Sequence, residues 1–137
     1  MPPEYDLYAF AFKECQTNFS ESTTIPWIDE AISCMPIHLG VMINSKTAKK
    51  KGIKTGDILK LESPFGEVTG RASVCEEVHP DCLALSNGMS RWSQHPIGKR
   101  KVTTHFNRLL PADVKWTDGM TGHLETSTKV KISIISE

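Results

Sequence analysis

The segment from Thr47 to Val74 constrains the fold more than any other part of the chain. Its sequence is TAKKKGIKTGDILKLESPFGEVTGRASV. A helix whose last turn carries three lysines is followed by Gly52, the residue type that ends a helix in a left-handed conformation. Two apolar segments come next, separated by a turn that contains Pro64. A helix, a glycine stop and two paired strands in this order predict a compact β-barrel.

The local residues also predict the boundaries of these elements. Ser45 has a side chain that can cap the N-terminus of the helix, and Ile53 can pack back onto its last turn. Gly56 and Asp57 form the next bend. We expect strands over 58–61 and 68–74, the second with one apolar and one polar face.

The same kind of pattern predicts the remaining elements. Strand-like segments cover 5–12, 38–44, 81–85 and 128–135. A short helix begins at Pro26, a residue tolerated in a first turn, and ends near Ser33. Because small apolar residues alternate with aromatic ones over 5–12, we expect that strand to be buried on both faces. The segments 14–24 and 86–107 are predicted loops, and the second is basic and long enough to suggest a functional role.

The composition excludes several kinds of partner. The 137 residues suit one domain with its own core. Lys plus Arg and Asp plus Glu each number 16, so no net field attracts nucleic acid or an anionic membrane. The sequence contains no apolar run of about 20 residues, and it opens on strand-like sequence rather than a signal peptide. We therefore expect no nucleic-acid partner and no direct membrane insertion.

The cysteines and histidines do not form a recognisable metal site. No two cysteines have the CxxC spacing, and no histidine lies three to five residues from another. A domain of this size does not need disulfides, so we expect reduced thiols. No histidine has a nucleophile or carboxylate at a spacing typical of a catalytic site, so none is assigned a general-base role.

The order of several motifs resembles a known family, the C-terminal molybdopterin-dinucleotide-binding domain of the dimethyl sulfoxide reductase superfamily of molybdenum and tungsten oxidoreductases. The motifs are KECQTN, VMINSKTAKKKGIKTGDILKLESPFGEV, SNGMSRW, FNRLLP and TGHLETSTKVKI. As a whole, these motifs are most similar to those of the thiosulfate, polysulfide or arsenate reductase branch. The resemblance implies a mainly β fold, a double-psi β-barrel of about six strands with a few short helices.

The resemblance further implies a cofactor, molybdopterin guanine dinucleotide with molybdenum or tungsten held through the full-length enzyme. Such a ligand requires amides, cations and close backbone approach from several loops. The matching cofactor-binding positions are Lys13, Gln16, Thr17, Asn18, Asn44, Asn87, Gly88, Arg91, Trp92, Asn107 and Gly122. No catalytic residue is implied within this chain, because the metal-ligating residue and any iron-sulfur cluster of the family belong to other domains.

Each of these positions also has a plain structural interpretation. The residues after the first strand could be an ordinary polar turn, and Asn44 could simply cap a helix. Trp92 could be a core residue beside a solvated Arg91. Gly122 could serve only a hairpin-like turn. Asn107, in the family's N-x-L element, is the residue that the resemblance singles out most strongly.

The resemblance does not determine whether the domain is part of a longer polypeptide. It implies either a domain excised from the C-terminus of a larger catalytic subunit or a small separate subunit, as in some formylmethanofuran dehydrogenases. The expected partners are the remaining domains of a parent reductase, with electron-transfer and membrane-anchor subunits. The parent could be periplasmic, exported by a twin-arginine signal, or cytoplasmic. The isolated domain would hold only part of the cofactor site, so we expect it to bind the cofactor weakly.

Barrels of this type also serve two other functions. A stand-alone double-psi barrel could act as a protein-interaction or DNA-binding module, like related barrels of DNA-binding proteins and of the N-domains of some AAA ATPases. The zero net charge disfavours DNA, and such a module would leave SNGMSRW and FNRLLP without a purpose. A self-processing decarboxylase of this barrel type is excluded, because the chain has no Gly-Ser dipeptide to cleave.

Overall fold

The computed structural model describes residues 2–13, 25–34, 40–86, 104–124 and 126–135. The strands are β1 (Leu7–Phe12), β2 (Val41–Asn44), β3 (Ile58–Glu62), β4 (Glu67–Cys75), β5 (Cys82–Ser86) and β6 (Ser127–Ile134). The helices are α1 (Pro26–Ser33) and α2 (Ser45–Lys51), with 3-10 helices at Phe106–Leu109 and Val114–Trp116. The predicted strands and helices are confirmed, with shifts of a few residues at their ends.

The six strands close into one barrel in the order β1-β5-β2-β4-β3-β6. The pairs β1/β5 and β2/β4 are parallel, and the other four pairs are antiparallel. Closure leaves each strand paired on both sides, so none of the six exposes a free edge. The mainly β fold and the double-psi barrel predicted from the sequence are confirmed.

The strand directions define two ends of the barrel. At the upper rim, β1, β3 and β5 end and β2, β4 and β6 begin; at the lower rim the reverse holds. The pairing of Phe12 with Ser86 places the ends of β1 and β5 together at the upper rim. Asn44, the last residue of β2, lies at the lower rim because β2 runs antiparallel to β5.

The core fills the inside of the barrel with aliphatic side chains. Leu59, Leu61, Leu83 and Leu85 are fully buried there, and burying such a side chain contributes roughly 1.5 to 3 kcal/mol. The first 3-10 helix adds two more buried residues, Phe106 and Leu109. This helix is thereby joined to the same core cluster as the strands.

The prediction that β1 is buried on both faces was wrong. Its inward residues Leu7 and Ala9 are buried, whereas Tyr8 and Phe10 are 47% and 37% exposed on the outer face. In this closed barrel the aliphatic core lies inside, so a strand is buried on its outer face only where other chain covers it. The ammonium group of Lys129, across from Tyr8 on β6, lies 5.0 Å from the centroid of the Tyr8 ring and covers part of it through a cation-π contact.

The N-cap of α2 also differs from the prediction. Ser45 is already the first helical residue, and the cap is Asn44, whose side chain accepts a hydrogen bond from the Lys46 backbone N–H at 2.9 Å. Asn44 has an extended backbone, which a capping residue requires. The predicted C-terminal stop is confirmed: Gly52 has φ 70°, and the backbone N–H of Ile53 donates to the Ala48 carbonyl at 2.8 Å.

The described cysteines are free thiols: Cys34 is exposed, Cys75 is buried and Cys82 is partly buried. Within the described ranges, no group of three or more His, Cys, Asp or Glu side chains is arranged to hold a metal ion. The helices of that same part of the chain are too short and too polar to cross a membrane.

Candidate functional site at the upper rim

Three of the predicted cofactor-binding residues lie at the upper rim. Lys13 directly follows the last residue of β1 and is exposed. Asn107 is exposed on the first 3-10 helix, and Thr104, two residues before that helix, hydrogen-bonds to Thr69 in the N-terminal part of β4. Gly122 is exposed shortly before β6 begins at Ser127. The barrel topology thus gathers residues that are more than 100 positions apart in sequence.

Asn107 sits in a segment that is anchored on both sides. Before it, the hydroxyl of Thr104 donates to the Thr69 carbonyl of β4 at 3.0 Å. After it, the carbonyl of Leu109 accepts a hydrogen bond from the Ser63 hydroxyl at 2.8 Å. The side chains on either side of Asn107 and Arg108, those of Phe106 and Leu109, are buried. Asn107 itself is exposed, so its amide is presented to solvent from a fixed backbone.

Gly122 closes a short hairpin at the same rim. It has φ 67°, a left-handed conformation that favours glycine. Its backbone N–H donates to the Asp118 carbonyl, and the Asp118 N–H donates to the His123 carbonyl, both at 2.9 Å. Thr117 and Leu124 form a bridge at the base. The hairpin-turn interpretation of Gly122 therefore describes its local structure.

The carboxylate of Asp118 organises the tip of this hairpin. One of its oxygens accepts hydrogen bonds from the backbone N–H and the hydroxyl of Thr121, both at 2.8 Å, and from the Met120 N–H at 3.1 Å. The bonds from Thr121 first, and that from Met120 next, hold the pKa of Asp118 below its usual value. The tip is thus a fixed turn rather than an open loop.

Two shallow clefts flank Trp116 at this rim. One of about 400 Å³ is lined, besides Trp116, by Lys115, Thr117, Asp118, His123, Leu124 and Thr126. The other, of about 330 Å³, is lined by Tyr8, Phe65, Pro111, Ser127, Thr128 and Lys129. The rings of Phe65 and Trp116 meet edge to face at 5.7 Å. Both clefts therefore combine an aromatic wall with one lysine.

The sequence interpretation missed Trp116, Lys115 and Lys129 as site candidates. A local signal could have identified Lys115 and Trp116: a tryptophan between a lysine and a Thr-Asp-Gly turn, close to the Thr-Gly motif of Gly122. Lys129 has no such signal. Their meeting with Tyr8 and Phe65 depends on the barrel, and no local pattern contains it.

Asn44 is separated from the other described candidates. It lies at the lower rim, is 4% exposed, and its side-chain nitrogen donates to the Val78 carbonyl at 2.8 Å and approaches Glu76 Oε2 at 3.5 Å. Its side-chain oxygen caps α2. Both ends of the amide are thus occupied within the chain, as the helix-cap interpretation expects.

The remaining candidates lie outside the described residues: Gln16, Thr17, Asn18, Asn87, Gly88, Arg91 and Trp92. The chain nevertheless leaves the barrel for these segments at the upper rim, since Phe12 and Ser86 end paired parallel strands there. It returns at Thr104, which contacts the N-terminal part of β4.

The groups at the upper rim fit an elongated, anionic and partly aromatic ligand. Lys13 and Lys115 supply cations at the rim, the second paired with Asp113 at 3.3 Å, and Lys129 adds one on the outer face of the barrel. Asn107 supplies an amide that can both donate and accept. Gly122 permits close backbone approach, and the rings around Trp116 offer apolar faces. This donor set suits the diphosphate and ring edges of a pterin dinucleotide.

Comparison with known proteins gives the family. The family model described as "Molydopterin dinucleotide binding domain" matches residues 33–126. This range contains β2 to β5 and the Asn107 and Gly122 segments. The chain belongs to this family of molybdopterin dinucleotide-binding domains, which is the family that the motifs predicted.

Similar proteins are much longer than this chain. The arsenate respiratory reductase molybdopterin-containing subunit of Chrysiogenes arsenatis is 34% identical over 81% of this chain, which spans 14% of that protein. The thiosulfate reductase molybdopterin-containing subunit of Salmonella typhimurium is 34% identical over 52% of this chain and 9% of its own length. Acetylene hydratase from Pelobacter acetylenicus shares the fold, with TM-score 0.73 and 16% identity over 95% of this chain and 18% of that one.

Proposed function

We propose that this chain holds part of a molybdopterin guanine dinucleotide as one domain of a larger molybdenum or tungsten oxidoreductase. The single observation that carries the proposal is the family match over residues 33–126. The upper rim supports it independently, because an exposed amide, a left-handed glycine and several lysines lie at one end of the barrel.

In this proposal the described residues at the upper rim bind and orient the cofactor. The amide of Asn107 pairs with a hydrogen-bonding edge, Lys13 balances an anionic oxygen, and the backbone at Gly122 approaches closely. The cofactor supplies the metal centre at which redox chemistry takes place. The seven candidates in 14–24 and 87–103 complete the set through their amide, hydroxyl, guanidinium and indole groups.

Asn44 has a different place in the proposal. Its amide is occupied by Val78 and by the end of α2, so a direct contact with the cofactor would require those bonds to be exchanged. The guanosine contact that the resemblance implies for Asn44 therefore depends on rearrangement at the lower rim.

We further propose that the parent enzyme reduces an oxyanion of sulfur or arsenic. The supporting observation is that the relatives include molybdopterin subunits named for arsenate and thiosulfate reduction, along with a tetrathionate reductase subunit of Archaeoglobus fulgidus. The partners would be the remaining domains of that polypeptide, which carry any iron-sulfur cluster, together with electron-transfer and membrane-anchor subunits.

The decisive experiment characterises the natural polypeptide that contains these residues. Antibodies against this chain would capture it from its source. Mass spectrometry would give its length, elemental analysis its molybdenum or tungsten, and fluorescence of the oxidised pterin its cofactor. The proposal expects a polypeptide several times longer than 15.3 kDa that carries the pterin dinucleotide.

The opposite result would favour the alternative, a stand-alone barrel that acts as a protein-interaction module. Two very exposed apolar side chains near the upper rim suit that function, Val114 at 85% and Met120 at 97% exposure. A natural protein of 15.3 kDa without pterin would contradict cofactor binding and support the interaction module.

A further inference from the structure

We infer that the β3–β4 turn, through Ser63 and Gly66, positions Asn107 at the upper rim. The inference rests on the proposed role of Asn107 and adds residues that have no contact of their own with the cofactor. Asn107 lies on a 3-10 helix of only four residues, Phe106–Leu109. So short an element does not hold its own geometry, and its position must come from what it packs against.

The first contact is a close approach of two backbones. A Cβ atom added to Gly66 would overlap the carbonyl oxygen of Arg108, the residue directly after Asn107. The φ of Gly66 is not left-handed, so its backbone conformation by itself would allow any residue type. Glycine is required at this position by the nearness of Arg108 rather than by conformation.

The second contact is a hydrogen-bond hub at Ser63. Its hydroxyl accepts hydrogen bonds from the backbone N–H groups of Phe65 at 3.1 Å and Gly66 at 3.2 Å, and it donates to the Leu109 carbonyl at 2.8 Å. One buried hydroxyl therefore orders the turn and attaches it to the Asn107 segment. Both residues that follow Asn107 are fixed on this turn, Arg108 by contact and Leu109 by the hydrogen bond.

The consequence is that Asn107 is held in place before any ligand arrives. An exposed amide on a fixed backbone loses less conformational freedom on binding, and a small displacement of a positioning group can cost a large factor in function. Gly66 and Ser63 therefore act through Asn107 as positioning residues.

The test is a double-mutant cycle in the natural polypeptide, with retained pterin dinucleotide per polypeptide as the readout. We expect Gly66→Ala to lower retention about ten-fold, the factor that corresponds to losing roughly one hydrogen bond to the cofactor. In an Asn107→Ala background, Gly66→Ala should cause no further loss. Gly52→Ala is the control, because a Cβ there also meets no atom within 4 Å and Gly52 ends α2, away from the upper rim; it should retain the cofactor fully.

Two further measurements keep the inference falsifiable. If Gly66→Ala does not fold, Ser63→Ala provides a second cycle without a steric clash. In the 137-residue chain, NMR should show the side-chain NH2 resonances of Asn107 shifted by Gly66→Ala and not by Gly52→Ala. Independent losses from Gly66→Ala and Asn107→Ala, or unmoved Asn107 resonances, would overturn the positioning role.

These outcomes separate the inference from the proposed function. If Asn107→Ala does not change retention, the positioning role fails with it, while cofactor bound by the unchanged polypeptide still supports the proposed function. A polypeptide that carries no pterin dinucleotide overturns the proposed function itself, and the positioning role through Asn107 with it.

Discussion

Asn44 donates its side-chain amide to the backbone carbonyl of Val78 at 2.8 Å and thereby joins the start of α2 to the connection between β4 and β5. The same side chain caps the helix through Lys46. One buried amide thus satisfies a helix N–H and a loop carbonyl, and both groups would lose their partner if it were removed.

We therefore expect Asn44→Ala to lower the free energy of unfolding by about 2 to 3 kcal/mol, the loss of a cap together with a buried carbonyl left unsatisfied. Urea unfolding monitored by circular dichroism measures the change. Ser45→Ala is the control and should change stability by less than about 0.5 kcal/mol. A larger loss from Ser45→Ala than from Asn44→Ala would restore Ser45 as the cap.

Two buried threonines make a matched pair for the same substitution. The Thr104 hydroxyl donates to the Thr69 carbonyl at 3.0 Å, whereas the Thr128 hydroxyl is buried without a hydrogen-bond partner in the described part of the chain. Thr104→Val should destabilise the chain by about 1 to 2 kcal/mol. Thr128→Val should leave stability unchanged or raise it by up to about 1 kcal/mol, because an unpaired buried hydroxyl costs free energy.

Thermal or urea unfolding of the two valine variants measures this difference. Valine keeps the shape of threonine, so the comparison isolates the hydroxyl. Equal losses from both substitutions would mean that Thr128 has a partner that the structure does not identify.

The left-handed C-cap of α2 makes a third prediction. Gly52 has φ 70°, and a Cβ added to it meets no atom within 4 Å. The cost of Gly52→Ala is therefore conformational alone, and we expect about 1 kcal/mol of lost stability. Gly119→Ala is equally open but has no left-handed φ, so it should be neutral or slightly stabilising. Similar effects from the two substitutions in urea unfolding would contradict this explanation.

The hairpin that carries Gly122 should depend on pH through Asp118. Hydrogen bonds from Thr121 and Met120 favour the carboxylate and lower the pKa of Asp118 in the folded chain. This stabilisation is complete above the ordinary aspartate pKa, and it is lost as the pH falls through the lower folded value. The hairpin should therefore stay ordered at neutral pH and loosen only in acid.

Carbon-13 NMR of the Asp118 carboxyl group, followed against pH together with the Thr121 amide, measures this transition. Asp118→Asn keeps an acceptor oxygen but does not titrate, so its Thr121 amide should not show the transition. A normal or raised pKa for Asp118 would contradict the hydrogen-bonding pattern.

The elements and their order could be predicted because their causes are local. Three lysines before Gly52 indicate the end of a helix, and alternation over 67–74 indicates a strand, although Ser73 of its polar face is buried. Each of these signals lies within about ten neighbouring residues. The family could be predicted for the same reason, since its motifs are short segments in a characteristic order.

The sequence did not predict which strand faces would be buried or which polar side chains would be occupied by partners within the chain. Tyr8 and Phe10 were expected to be buried and are exposed, because the barrel interior takes only the alternate residues of β1. Asn44 was a candidate for ligand contact, but its amide is occupied by Val78, a residue 34 positions away. Such partners come from strand pairing and cannot be read from neighbouring residues.

By itself, the sequence determined the barrel class, the succession of strands and helices and the motifs of the family, because propensity, capping and alternation act between near neighbours. The tertiary structure alone decided that Lys13, Asn107 and Gly122 lie at one rim while Asn44 lies at the other. That arrangement follows from the parallel pairing of β1 with β5 and the antiparallel pairing of β5 with β2, contacts that form only when distant segments close the barrel.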